Sequence, residues 1–269
     1  MYKLVALDMD GTLLNSQKAI SPRTKQAIQA AREQGVHVVL ASGRPLEGME
    51  KYLTELGMTS DNDFVLSYNA SLIQRVASKT VIRKQIMKGS DAKNIASLAN
   101  DFVTFVHAFS PERGLITPED NTYTQHESTI NGVETTVVDF VELGNDEEII
   151  KTMMVAEPSI LSAAIEQLPA ALYEQYTVVQ SAPFFLEFMN KHSNKGTGVA
   201  MLAEHLGISA DEVICMGDAG NDHHMIKYAG LGVAMGNATE DTKALANHIT
   251  DSNDEDGVAK VIEQFILNK

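Results

Sequence analysis

Two aspartates separated by one residue, Asp8-Met9-Asp10-Gly11, follow directly on the apolar run Lys3 to Leu7. Carboxylates at that spacing lie close enough to share a metal ion, and with one neutralised the other can hold or release a proton. Gly11 lets the backbone turn sharply beside a small ligand. The bland alternative is a plain Asx turn. Ala41-Ser42-Gly43-Arg44-Pro45 offers a hydroxyl and a glycine N–H after a second apolar run, which together make an anion pocket or merely cap a helix. No G-x-S-x-G elbow accompanies that serine, which argues against a serine hydrolase. Asn194-Lys195-Gly196-Thr197-Gly198 puts a cation at a helix start, where the dipole favours an anion. That placement makes sense if Lys195 points at a bound anion; otherwise the lysine is simply solvated. Gly217-Asp218-Ala219-Gly220-Asn221-Asp222 carries acids that could complete an oxygen-ligand Mg²⁺ site, or only cap the next helix. Together the clusters supply a metal site, an anion cradle, a cation and a spare carboxylate, the parts that phosphoryl transfer requires.

These clusters need a scaffold that brings them to one place. Lys3 to Leu7 and Val36 to Leu40 read as strands, and Phe64 to Leu66 as a third. A helix opened by Ser21-Pro22 and stopped at Gly35 lies between the first two, and a second helix runs through Gly48 to Leu56. Such alternation predicts a parallel sheet with right-handed crossovers, whose ligands bind beyond the carboxyl ends of the strands. After about residue 80 the pattern loosens. Strand runs at 102–109, 135–141, 153–156, 176–179 and 184–189 mix with helices at 91–100 and 158–168. Alternation resumes with a helix at 197–206, strands at 212–216 and 231–234, and helices at 221–228, 240–246 and 258–267. The expected organisation is α/β: a doubly wound, mostly parallel Rossmann-like core, 1–81 plus 190–269, interrupted by an inserted α+β domain, 82–189.

Composition narrows the chemistry further. The 269 residues include 21 Lys+Arg against 36 Asp+Glu, a formal net charge of −15. That excess argues against a nucleic-acid polymer or an anionic membrane surface as partner. A small phosphate remains compatible, provided that cations are concentrated locally or a metal is recruited. One cysteine, Cys215, cannot form an internal disulfide, and the first residues lack the pattern of a signal peptide, so a cytoplasmic protein is expected. The sequons at Asn69 and Asn237 then read as chance matches. Adjacent His223 and His224 cannot face one ligand from a helix, and the other histidines show no zinc spacing.

DMDGTLL, ASGRP, NKGTG and GDAGND, in this order, resemble the four motifs of the haloacid dehalogenase superfamily. Most of its members are Mg²⁺-dependent phosphatases with an aspartate nucleophile. The insertion between the second and third motifs resembles the cap of the Cof-type branch, and QYTVVQSAPFFLEF and YAGLGVAMGNA are similar to stretches of sugar phosphatases within it. The resemblance implies that Asp8 is the nucleophile, while Asp10 protonates the leaving alcohol and then activates water. Mg²⁺ would be held by Asp8, the backbone carbonyl of Asp10 and Asp218. Phosphate oxygens would be bound by Ser42, Gly43 and the Met9 N–H, with Lys195 balancing their charge and Asn221 orienting the group. Asp222 would support Lys195 or the metal from behind, and Arg44 would reach substrate or pair with the cap. The expected activity is hydrolysis of small phosphorylated metabolites, foremost sugar phosphates. A phosphosugar mutase and a non-catalytic phosphometabolite-binding protein are the alternatives. Specificity is expected on the cap, near His107, Arg113 or Tyr123. Both a monomer and a homodimer are compatible with the sequence.

Overall fold

The computed structural model describes residues 1–268. The chain divides into two compact units, Met1–Lys84 together with Asn194 onward, and Gln85–Ser193. The junctions fall a few residues after those expected, because the run at 81–84 pairs into the sheet of the first unit.

The first unit begins with β1 (Leu4–Leu7), α1 (Pro22–Glu33), β2 (His37–Ala41), α2 (Glu50–Glu55) and β3 (Phe64–Ser67). Ser21 caps α1 by accepting from the Thr24 N–H at 3.1 Å, and Pro22 takes the first turn, where its missing N–H costs nothing. The hairpin β4 (Leu72–Arg75) and β5 (Val81–Lys84) follows. It pairs antiparallel, and the sequence alone did not single it out.

The chain then builds the second unit: β6 (Met87–Lys88), α3 (Gly89–Asp101), β7 (Phe105–Ser110), β8 (Gly114–Thr117), α4 (Thr122–Asn131), β9 (Thr135–Val137), β10 (Glu148–Ile149), β11 (Lys151–Val155), α5 (Pro158–Glu166), α6 (Ala170–Gln175), β12 (Tyr176–Ala182) and β13 (Phe185–Asn190). It returns to the first unit through α7 (Lys195–Leu206), β14 (Val213–Gly217), α8 (His223–Tyr228), β15 (Leu231–Ala234), α9 (Glu240–Leu245), β16 (His248–Ile249) and α10 (Gly257–Ile262). The expected helix at 258–267 changes hand-hold midway, from α to a π turn over Glu263–Leu267.

The first unit's sheet has the order β16-β15-β14-β1-β2-β3-β4-β5, with the first six strands parallel. All four residues of β1 are buried because helices cover both faces. Val5 and Leu7 join a core with Ala27, Ile28, Val258 and Val261, while Leu4 and Ala6 join another with Val199, Leu202 and Met225. Successive strands run outward from β1 in one direction and from β14 in the other. The order therefore reverses between β1 and β14, and the crevice beyond that reversal is where such sheets take their ligands.

The second unit contains a six-stranded sheet, β12-β13-β11-β7-β8-β9, and the pair β10-β6. One face carries Val106, Ala108, Met154, Leu186 and Phe188 into a core with α3 and α5. The other face carries charge. Lys151 Nζ lies 3.4 Å from Glu127 Oε1 and 3.3 Å from Glu187 Oε2, and over the Phe109 ring at 5.1 Å from its centroid. Burial opposes the lysine's charge, but the two carboxylates outweigh it and hold the ammonium above its ordinary pKa. Glu127 belongs to α4, so this cluster fastens the helix to the sheet. His107, buried on the same face, lies 3.0 Å from Thr124 Oγ1 and is pushed down to about 3 by burial, with Lys151 adding to the effect. Contrary to the sequence expectation, His107 is interior and makes no surface for a substrate.

Candidate active site

Register explains how distant motifs meet. Leu7 pairs with Met216 of β14 on one side and with Leu40 of β2 on the other. The residues just past these strands, Asp8, Asp218 and Ser42, therefore emerge from the same end of the sheet. Gly11 turns the chain back with φ +88°, and a Cβ there would come within 2.5 Å of Asp218 Oδ2. Only glycine allows both the conformation and the approach. Thr12 Oγ1 donates to Asp218 Oδ1 at 2.9 Å, tying the first motif to the fourth.

Lys195 is the first residue of α7, a helix capped by Asn194, whose side chain accepts from the Thr197 N–H at 2.9 Å. Its side chain is 0% exposed, and its ammonium donates to Asp8 Oδ1 and, at 2.7 Å, to Asp222 Oδ1. Burial works against the lysine's charge, but Asp222 and Asp8 outweigh it and raise the pKa. Asp222, also fully buried, spends its second oxygen on the Asp218 and Ala219 N–H groups, at 2.9 and 3.1 Å. It thus orients both Lys195 and the loop that carries Asp218.

Burial pushes the Asp8 carboxyl up to about 8, with Lys195 opposing the rise and Asp222 and Asp218 adding to it. Burial raises Asp218 as well. Asp8, Asp218 and Asp222 each offer an oxygen within 4.8 Å of the others. Three carboxyl groups crowd against one buried ammonium, a crowding that a bound cation would relieve, and every donor is a hard oxygen. That donor set fits a small divalent cation such as Mg²⁺. Since Asp222 is already engaged by Lys195 and two N–H groups, Asp8 and Asp218 are the carboxylates with ligand capacity to spare.

Asp10 has a different setting. Arg44 donates to it from Nη2 at 2.7 and 2.9 Å and from Nε at 3.2 Å, and Lys18 donates at 2.7 Å. Burial would raise this carboxyl, but Lys18 and Arg44 outweigh burial and hold it below the usual carboxylate range. Arg44 thus pairs with Asp10 within the first unit. Lys18 is a neighbour that sequence reading missed, although its left-handed backbone, φ 56°, aligns with a turn readable in Asn15-Ser16-Gln17-Lys18.

Ser42 is buried, and its Oγ accepts from the Arg44 N–H at 3.2 Å. Gly43 follows it in the same loop. Met9 buries its side chain completely, so only its backbone can serve a ligand. Asn221 is half-buried in the short turn Gly220–Asp222 that precedes α8. His223 Nε2 shares a hydrogen bond with Thr242 Oγ1 at 2.8 Å, so that nitrogen is engaged by α9. Cys215 is buried in β14, and burial raises its thiol, as an inert core residue requires. Of the residues expected to tune specificity, Arg113 pairs with Glu147 at 2.9 Å, and Tyr123 is half-buried between the rings of Phe105 and Phe184.

A doubly wound sheet whose reversal point gathers buried carboxylates around a buried lysine is an arrangement suited to phosphoryl transfer. The chain belongs to the haloacid dehalogenase family: residues 5–262 match haloacid dehalogenase-like hydrolases. YxeH of Bacillus subtilis is 39% identical over 271 aligned positions, 100% of each chain. A second Bacillus subtilis relative, 5-amino-6-(5-phospho-D-ribitylamino)uracil phosphatase YcsE, is 33% identical over 98% of this chain and 96% of its own. A crystal structure of a haloacid dehalogenase-like hydrolase from Bacteroides thetaiotaomicron superposes with a TM-score of 0.86 at 34% identity, covering 99% of this chain and 100% of that one. The protein is accordingly a phosphatase of the haloacid dehalogenase superfamily, of the Cof type. No helix among the described residues is long and apolar enough to cross a membrane.

Proposed function

We propose that this chain is a Mg²⁺-dependent phosphatase of small phosphorylated metabolites, foremost sugar phosphates, working through an aspartyl-phosphate. One observation carries the reading: buried Lys195 bridges Asp8 and Asp222, with Asp218 beside them. In the proposed reaction an Asp8 oxygen attacks phosphorus and the bond to the substrate's alcohol oxygen breaks. Asp10 gives that oxygen its proton. Water then attacks the aspartyl-phosphate, Asp10 takes the water's proton, and inorganic phosphate leaves. Asp10 can act as an acid only once it carries a proton, so its carboxyl must part from Arg44 and Lys18 when substrate is bound. Ser42, Gly43, the Met9 N–H and Asn221 would hold phosphate oxygens, and Lys195 would balance their charge. Asp8, the Asp10 carbonyl and Asp218 would hold Mg²⁺, which when bound neutralises the carboxylates and polarises a phosphoryl oxygen. Support for a sugar-like leaving group comes from the sequence motifs and from YcsE, whose named substrate carries its phosphate on a ribityl group.

A phosphate-release screen over phosphosugars, nucleotides and cofactor phosphates tests this, run with Mg²⁺, with chelator, and with Asp8→Asn as blank. Release should be strongest on phosphosugars, vanish with chelator, and fall by at least about a thousandfold in Asp8→Asn, a loss of about 4 kcal/mol in transition-state stabilisation. Appreciable turnover by a folded Asp8→Asn would remove Asp8 as nucleophile.

A further inference from the structure

Just past β3 the backbone does something costly. Tyr68, Asn69 and Ala70 all adopt left-handed conformations, with φ of 52°, 54° and 68°, and none is glycine. Isolated residues of this kind are uncommon, and three in succession persist only where the surroundings hold them. Here the surroundings are the two anion-binding motifs. The Asn69 N–H donates to the Ser42 carbonyl at 2.8 Å and the Tyr68 N–H to the Arg44 carbonyl at 3.0 Å, while the Ser42 N–H donates to the Leu66 carbonyl at 3.0 Å. The Ser42-Gly43-Arg44 loop is thus bonded to this turn on both sides of Gly43. Gly43 itself abuts the buried Asn69 side chain: a Cβ on Gly43 would lie 3.3 Å from Asn69 Nδ2 and 3.6 Å from Oδ1. On the turn's other side, Ala70 packs its methyl against Gly198, where any larger residue would collide with it. Gly198 lies in the first turn of α7, the helix that begins with Lys195.

We propose that Asn69 is a positioning residue for the phosphate: its amide, held in a strained turn, sets the Gly43 segment of the cradle against the helix that carries Lys195. The proposal rests on the phosphatase reading and adds a component that none of the four motifs contains. An amide suits the position because it braces the loop without adding charge beside a bound anion. Asparagine also tolerates the left-handed conformation better than most residues, through its short polar side chain.

Two substitutions separate the side chain from the backbone it sits on. Asn69→Gly accepts the left-handed backbone freely and keeps the N–H bond to Ser42, so it removes only the amide. Asn69→Asp keeps the shape and the backbone tolerance but brings a negative charge to the cradle. The measurements are inhibition by orthovanadate, and KM and kcat on p-nitrophenyl phosphate and on one hexose phosphate, in folded proteins matched by thermal melting. Asn69→Gly should weaken vanadate inhibition and raise KM by about tenfold, by one factor for both substrates and with kcat little changed, since the phosphate is what they share. Asn69→Asp should weaken both further. Wild-type behaviour of Asn69→Asp would overturn the proposal, because a merely structural asparagine would tolerate its isostere. A rise in KM on one substrate with vanadate inhibition intact would also overturn it, placing Asn69 at the leaving group. If the wild type itself neither binds vanadate nor releases phosphate, the phosphatase reading fails together with this one. A wild type that does both beside an unaltered Asn69→Gly sinks the positioning role alone.

Discussion

Asp8 and Asp10 differ by two positions, yet their environments drive them apart. Asp8 is buried against Lys195 and two other carboxylates and titrates high, whereas Asp10 is clasped by Arg44 and Lys18 and titrates low. Without substrate and cation, these environments run opposite to the proposed roles: a bound Mg²⁺ would favour the ionised Asp8 that a nucleophile needs, and parting from Arg44 and Lys18 would let Asp10 take up the proton that an acid needs. The clasp has a consequence for stability. Because the native Asp10 pKa lies below the ordinary carboxylate value of about 4, its pairing stabilises the fold above that pH and is lost as pH falls through the native value. Arg44→Met should therefore lower the melting temperature at neutral pH, and its gap from the wild type should close on acidification below about pH 4. Side-chain exposure of 26% for Arg44 and 41% for Asp10 keeps the effect modest through screening. A gap that does not change with pH would mean that Arg44 contributes packing against Tyr52, whose ring centroid lies 5.8 Å away, and not charge. The Arg44–Asp10 pair was not legible in sequence. Adjacent strands β1 and β2 bring the two loops together, but only the side-chain geometry settles that the guanidinium turns to Asp10.

Elements that alternate strictly were the readable ones. β1, β2, β14 and β15 are short, largely apolar runs buried on both faces, and β1, β2 and β14 each end in a polar cluster that the sheet delivers to the crevice. The β4–β5 hairpin was less visible because β5 is largely exposed and carries two basic residues, leaving no apolar alternation to read. Strand Phe105–Ser110 starts later than its apolar run suggests, since α3 continues through Asp101 and Val103 turns at φ 54°. Helix α4 escaped altogether: Thr122–Asn131 is rich in threonine and has no apolar stripe, so its helicity comes from caps and burial. The cap signal was available in Asn121 and Gly132. Asn121 Oδ1 accepts from the Tyr123 and Thr124 N–H groups at 3.1 and 2.9 Å, and Gly132 closes the helix at φ 65°. Asn121→Ala should destabilise the second unit by about 1 kcal/mol, read as a lower melting temperature, whereas Asn121→Asp should retain most of the stability. Equal loss in both variants would show that the amide's bond to Thr124 Oγ1, at 2.9 Å, matters more than the cap.

For the whole molecule, the −15 net charge is distributed in a way that a count cannot show. In the first unit, buried acids surround Lys195; in the second, Glu127 and Glu187 surround Lys151. Among the described residues, each unit thus buries a lysine between two carboxylates, and the apolar cores of the two units are separate. The two lysines differ in purpose. Lys195 stands at the strand-order reversal beside carboxylates suited to a cation, whereas Lys151 joins α4 to its sheet. Removing one partner from a buried ion cluster leaves charge uncompensated in the interior, at a cost of about 3–5 kcal/mol. Lys151→Met supplies similar bulk without the ammonium, so the loss should come from the stranded Glu127 and Glu187. Because the partners of Lys151, namely Glu127, Glu187 and the Phe109 ring, all lie within residues 85–193, that loss should stay local. Hydrogen exchange read by mass spectrometry should show faster exchange across β7, β11, β13 and α4, with protection of β1 and β14 unchanged. Equal loss of protection in β1 and β14 would mean that the two units open as a single cooperative body, despite their separate cores.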